Sequence, residues 1–388
     1  MNLREKISPQ VRDLPPSGIR KYFDMMNEMK DAISLGVGEP DFVTPWRIRE
    51  AGIDSLEKGQ THYSSNSGLI ELRMEISNYL RGRYNLDYDP KSQIIVTVGA
   101  SEGIDIALRA LVGPGDEVII PEPSFVAYKG CTAITGAVPK IINLRAEDEF
   151  KLTPELLEKA ITPKTKVVII PYPNNPTGAI MTREDLSKIV DVLKDKDIIV
   201  ISDEIYSELT YEGKHTSIAS FPEMKDKTIV VNGFSKAYAM TGWRIGYVCG
   251  HPTLIEAMKK IHQYSLMCAP TTAQYAGLEA LKNGQADVDN MVAEYNKRRR
   301  VLVDGFRKIG FDCFEPKGAF YTFPCIKSTG LSSNDFCDRL LDEQKVLVIP
   351  GTAFGDCGEG FVRACYAASM ENINEALRRI ETFVKSHK

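Results

Sequence analysis

Residues 228–249 read TIVVNGFSKAYAMTGWRIGYVC. Two runs, TIVVN over 228–232 and RIGYVC over 244–249, have strand composition: short, apolar and rich in β-branched and aromatic residues. Gly233 breaks the first run, and a series of small residues leads to Thr241-Gly242-Trp243-Arg244. This brings Lys236 to a strand end and puts Arg244 eight residues further on. A lone lysine is ordinarily a solvated surface charge. Only what the rest of the chain sets beside it gives Lys236 meaning.

Further strands are expected over 94–98, 117–121, 167–170 and 198–202. Helical spacing lies between them, as in Ile104, Ala107, Leu108 and Leu111, and again over 184–193. Near-continuous apolar strands alternating with helices predict an α/β fold, a mainly parallel sheet sandwiched by helices. Beyond residue 283 the pattern changes to long helices, then VLVIPG, FVRACY and a closing helix with Ile373, Leu377, Ile380 and Val384 at helical spacing. The expected organisation is a large domain over 46–284 and a smaller α+β domain over 285–388, against which an N-terminal arm over 1–45 packs.

The 388 residues exceed the usual size of one domain, and 43% hydrophobic content is enough for a sizeable core. A formal net charge of -4 argues against a nucleic-acid partner. The one basic run, Lys297-Arg298-Arg299-Arg300, follows Glu294 in a helical pattern and reads as a solvated face. Eight cysteines without a CxxC pair fit reduced thiols of a cytoplasmic protein rather than a disulfide frame or zinc site. The start, MNLREKISPQ, has no apolar signal region, and no stretch approaches membrane-spanning length, so no membrane partner is expected.

Four unusual stretches follow strands: GASEG (99–103), PNNPTG (173–178), DEIY (203–206) and GFSK (233–236). Ligands of open parallel sheets sit at the carboxyl ends of strands. GASEG matches the nucleophile elbow through Gly99, Ser101 and Gly103. A serine hydrolase also needs a histidine in context, which His215, His251, His262 and His387 do not offer. Glycines and helix N-terminal N–H groups suit a phosphate better. A phosphate there, with a lysine and an aspartate at neighbouring strand ends, points to pyridoxal phosphate. Lys236 must be neutral to form a Schiff base, against an ordinary pKa of about 10.4, and burial with nearby positive charge lowers that value. Arg244 would pair with phosphate, Asp203 would hold the pyridine nitrogen protonated, and Tyr206 and Asn175 would donate to the ring oxygen.

In order and spacing, GASEG, PNNPTG, SDEIY and FSKAYAMTGWRIG resemble the class I aminotransferases of the aspartate aminotransferase type, fold type I of the pyridoxal-phosphate enzymes. The resemblance runs from LGVGEPDF near the start to GEGFVRACYAAS near the end. It implies catalytic roles for Lys236, Asp203 and Tyr206, and cofactor contacts from Ala100, Ser101, Phe125, Asn175, Ser235 and Arg244. It implies that Tyr63 reaches the phosphate from a neighbouring subunit, hence a homodimer with shared active sites. Gly38, Asn175 and Arg363 would bind the substrate α-carboxylate, an arginine pairing with it through two bonds. Ile19, in SGIRKYF, is a candidate for the side-chain pocket.

The expected reaction moves an amino group from an L-amino acid to a 2-oxo acid such as 2-oxoglutarate. Ser101 stands where one aspartate-specific branch has a lysine, and 251–270 offers only Lys259, Lys260 and His262 as substitute cations. An unpaired buried carboxylate is costly, so a neutral or aromatic donor is favoured over aspartate. The alternative within the same chemistry is a β-eliminating C–S lyase. A ligand-sensing domain of a transcription regulator would need a DNA-binding module ahead of the large domain, and no helix-turn-helix pattern is present there.

Overall fold

The structure, a computed structural model, describes residues 1–16, 18, 19, 21, 22 and 31–387. Its strands are β1 (Ile33–Ser34), β2 (Ile94–Thr97), β3 (Glu117–Glu122), β4 (Val138–Asn143), β5 (Thr165–Ile170), β6 (Ile199–Asp203), β7 (Thr228–Gly233), β8 (Gly246–Cys249), β9 (Tyr321–Thr322), β10 (Val346–Leu347), β11 (Ile349–Pro350) and β12 (Val362–Cys365). Seven form one sheet in the order β2-β8-β7-β6-β5-β3-β4. β8 runs antiparallel to both neighbours, and the remaining pairs are parallel. The fold is α/β with a mainly parallel sheet, as expected, and all six expected strands are present.

β2, β7 and β8 are buried at every residue, which is why their sequences are continuously apolar rather than alternating. β4 was not among the expected strands. It is an edge strand, VPKIIN, with Pro139 and Lys140 in place of the apolar signature. The helix Gly99–Leu111 lays Ile104, Ala107 and Leu108 on one face of the sheet against Val231 and Val248. On the other face Leu72, Ile76 and Leu80 of the helix Ile70–Tyr84 pack with Phe234 and Tyr247.

In the C-terminal part the helices Gln285–Ile309 and Met370–Ser386 pack together beside the antiparallel set β11-β12-β9. β1 pairs in parallel with β10, and the Cys365 N–H donates to Leu35 O at 2.7 Å. The chain just after β1 is thereby delivered to the side of β12. The basic run is a correction: Arg298 and Arg299 are buried, not solvated. Four successive residues span a full turn of helix, so some must face inward. Arg298 Nη1 donates to both Asp41 oxygens at 2.9 and 2.8 Å, and Arg299 Nη1 to Glu315 Oε1 at 3.1 Å. Among the described residues, no helix is long and apolar enough to cross a membrane.

Candidate active site

Because β2, β7, β6, β5 and β3 point the same way, their carboxyl ends make one row along the sheet edge. The row carries, in spatial order, the Gly99–Ser101 turn, Lys236, Asp203, Asn175 and Phe125. β8 begins at this edge, so Arg244 enters beside the turn. These residues line a single cavity of about 370 Å³, together with Ile19, Gly38, Tyr206, Ser235 and Arg363. That is the size of an ordinary small-molecule site.

Close backbone approach builds the turn. Gly99 has φ +75°, and a Cβ there would meet Arg244 Nη2 at 2.6 Å. A Cβ on Gly246 would meet Ala100 N at 2.7 Å, so β8 abuts the helix N-terminus directly. Arg244 itself has φ +50° and donates through Nη1 to Thr241 O at 2.8 Å.

Lys236 Nζ donates to Gly38 O at 2.7 Å. Burial brings its pKa down to about 8, with Arg363 and Arg244 adding to the fall. Asp203 is buried at the end of β6, and burial pushes its carboxyl up to about 6. Tyr128 Oη donates to its Oδ2 at 2.6 Å and the Ile205 N–H to its Oδ1 at 3.2 Å, both favouring the ionised form. Arg363 donates through Nη1 to Asn175 Oδ1 at 2.9 Å and through Nη2 to Gly36 O at 2.6 Å. Its Nε is buried without a partner.

The model of the family described as aminotransferase class I and II matches residues 30–380. The chain belongs to this family. The Bacillus subtilis (strain 168) protein YugH, named as an aminotransferase, is 52% identical over 97% of this chain and 98% of its own. An aspartate aminotransferase of Pyrococcus abyssi is 44% identical, covering 96% of this chain and 97% of its own. The crystal structure of an aromatic aminotransferase from Pyrococcus horikoshii superposes with a TM-score of 0.90 at 43% identity, over 94% of this chain and 99% of its own. This aminotransferase is therefore a pyridoxal-phosphate enzyme of fold type I, and its relatives' names give the C–S lyase alternative no support.

The cavity of the aminotransferase fits that cofactor. It has a glycine turn at a helix N-terminus, a low-pKa lysine, a buried carboxylate, and an arginine with an idle donor. Tyr63 is the one candidate lying outside, 81% exposed on a loop whose Asn66 Nδ2 donates to Met267 O at 2.8 Å. Ser101 has no histidine within hydrogen-bonding reach, since His262 pairs with Glu102 and His215 with Glu204, so the hydrolase constellation is not assembled.

Two tyrosines of the site were not read from the sequence. Tyr128 follows Phe125 by three residues, a helical offset that only the turn after β3 creates. Tyr321 is 2.8 Å from Tyr206 through the two hydroxyls, and its hydroxyl lies against Gly38, where a Cβ would meet it at 2.6 Å. Its contact with the site comes from β9, far down the chain, with no local signal.

Proposed function

We propose that this aminotransferase takes its amino group from a neutral or aromatic L-amino acid and passes it to a 2-oxo acid such as 2-oxoglutarate. It works as a homodimer with shared active sites, in the cytoplasm, where its eight free cysteines stay reduced. The observation that carries the donor preference is the charge of the cavity. Among the described residues lining it, the cations are Lys236, Arg244 and Arg363. Each has a task already, so a second carboxylate, that of 2-oxoglutarate included, is met only when an arginine rearranges, which disfavours aspartate as the donor. Glu39 and Ile19 add a negative charge and an apolar surface instead. The names of relatives at similar identity include both aspartate and aromatic donors, so identity alone does not choose.

When bound, pyridoxal phosphate supplies an electron sink for the charge left on the substrate Cα. The Ala100 and Ser101 amides, Ser235 and Arg244 would hold its phosphate, and Phe125 would offer it an aromatic face. Asp203 keeps a carboxylate on the ring nitrogen, fixed by Tyr128. Asn175 spends its Oδ1 on Arg363, which leaves Nδ2 to donate to the ring oxygen beside Tyr206. Arg363, held by Asn175 Oδ1 and Gly36 O, would pair its guanidinium with the substrate α-carboxylate next to the Gly38 backbone. Lys236, with a pKa of about 8, has a neutral fraction at physiological pH able to take the Cα proton on Nζ and release it again. Tyr63 completes the phosphate site from the partner subunit.

The test is kcat/KM for alanine, phenylalanine, tyrosine and aspartate with 2-oxoglutarate as acceptor. A neutral or aromatic donor should lead. An advantage of aspartate greater than about tenfold, roughly 1.4 kcal/mol in transition-state binding, overturns the reading.

A further inference from the structure

The helix Gly99–Leu111 begins with N–H groups that have no partner within the helix, and these are the donors offered to the phosphate. Glu102, in its first turn, is an anion tethered to the same helix end. Such a carboxylate is attracted to those donors and to the positive end of the dipole. Left free, it competes with the phosphate at the high effective concentration of an intramolecular ligand. The structure engages it at the N-cap, Val98, instead of at the amides of Ala100 and Ser101. Glu102 Oε2 accepts the Val98 N–H at 2.5 Å, and Glu102 Oε1 is 2.5 Å from His262 Nδ1.

His262 is fully buried in the last turn of the helix Pro252–Ser265, which packs along Gly99–Leu111. Its Nε2 is buried with no partner. If helix packing were its only task, an apolar side chain would fill the place without leaving a polar nitrogen idle. The single hydrogen bond that the His262 side chain makes among the described residues is the one to Glu102.

We propose that His262 is a positioning residue for cofactor binding: it pins Glu102 on the N-cap N–H of Val98 and so keeps the amides of Ala100 and Ser101 open to the phosphate. This rests on the reading that the Gly99–Ser101 turn receives the phosphate. Glu102 and His262 act through those amides, and neither touches the reacting atoms. The device selects for a phosphorylated ligand, since only the phosphate competes with the carboxylate.

The test titrates apoprotein with pyridoxal phosphate and with pyridoxal, which lacks the phosphate, following absorbance. The ratio of the two dissociation constants measures the contribution of the phosphate. His262→Leu should lower that ratio about tenfold while leaving pyridoxal binding within about twofold. His262→Asn, which keeps an N–H donor near the place of Nδ1, should stay within about threefold of wild type. Adding Glu102→Gln to His262→Leu should recover most of the ratio, because the competing charge is gone. Equal weakening of both ligands, or no recovery in the double variant, overturns the proposal. Glu102→Gln alone keeps an acceptor for Val98 and should leave the ratio at or above wild type. A fall there overturns the proposal even if His262→Leu does not fold. Arg244→Gln separates the two readings. It must lower the ratio, and if it does not, the phosphate lies elsewhere and the assignment of the turn fails independently of His262.

Discussion

Asp203 is held at a cost to the fold. Its carboxyl has a pKa of about 6 in the native protein against an ordinary 3.8, with burial the main cause. A carboxyl raised on folding binds protons more tightly when native, so its contribution to stability falls as pH rises from about 3.8 to about 6, then stays level. Two pKa units correspond to about 3 kcal/mol. Asp203→Asn removes the charge and keeps Oδ1 as the acceptor for the Ile205 N–H, but it trades the charge-assisted bond from Tyr128 for a neutral one, returning about 1 kcal/mol. The apoprotein of this variant should therefore melt about 2–3 °C higher at pH 7.5, with the gain fading as pH falls from about 6 to about 3.8. Its kcat should drop by about a hundredfold or more, because no carboxylate then faces the ring nitrogen. A lower melting temperature at pH 7.5 would contradict the assignment of burial as the dominant effect. Lys236, Asp203, Asn175, Arg244 and Arg363 were legible because each stands in a local motif with a strand before or beside it. Tyr128 and Tyr321 were not, since their contacts depend on where the motifs land in space.

At the level of elements, one substitution has opposite effects in two helices. A Cβ on Gly82, in the exposed face of Ile70–Tyr84, meets nothing within 4 Å, so Gly82→Ala should stabilise by about 1 kcal/mol through helix propensity. A Cβ on Gly103 would sit 2.6 Å from Val248 Cγ1 and 3.2 Å from Val231 Cγ1. Both neighbours are β-branched and stiff. Gly103→Ala should cost about 1–3 kcal/mol in overpacking, more than the propensity gain, and weaken cofactor binding by lifting the helix N-terminus off β7 and β8. Thermal melts of the two apoproteins check both signs, and stabilisation by Gly103→Ala would show that the strands yield. GASEG was readable as a turn, yet only the packing tells that its last glycine is a spacer between layers. The central strands announced themselves because burial on both faces forces continuous apolar runs. β4, at the edge, was free to carry a proline and a lysine and so escaped notice. The antiparallel course of β8 leaves no mark in composition either.

For the whole molecule, the exposed position of Tyr63 leaves it free for the proposed contact with a second subunit's cavity. Lys236→Ala should be inactive, and Tyr63→Ala should lose about tenfold through weakened phosphate binding. Unfolded together and refolded as a mixture, they should regain about a quarter of wild-type activity, since half of randomly paired dimers are hybrids with one intact site of two. A mixture no more active than its parents would rule out sharing. The sheet order has a consequence of another kind, for synthesis on the ribosome. β2 lies at the edge of the sheet and pairs with β8, whose last residue, Cys249, follows far behind Ile94. At about 5–20 residues per second, Ile94, Ile95 and Val96 wait roughly ten to thirty seconds in the nascent chain before that partner strand exists. β1 waits longer still, for β10. The cofactor turn after β2 is thus translated well before the strand against which it closes, and until then its apolar strand is left without that partner.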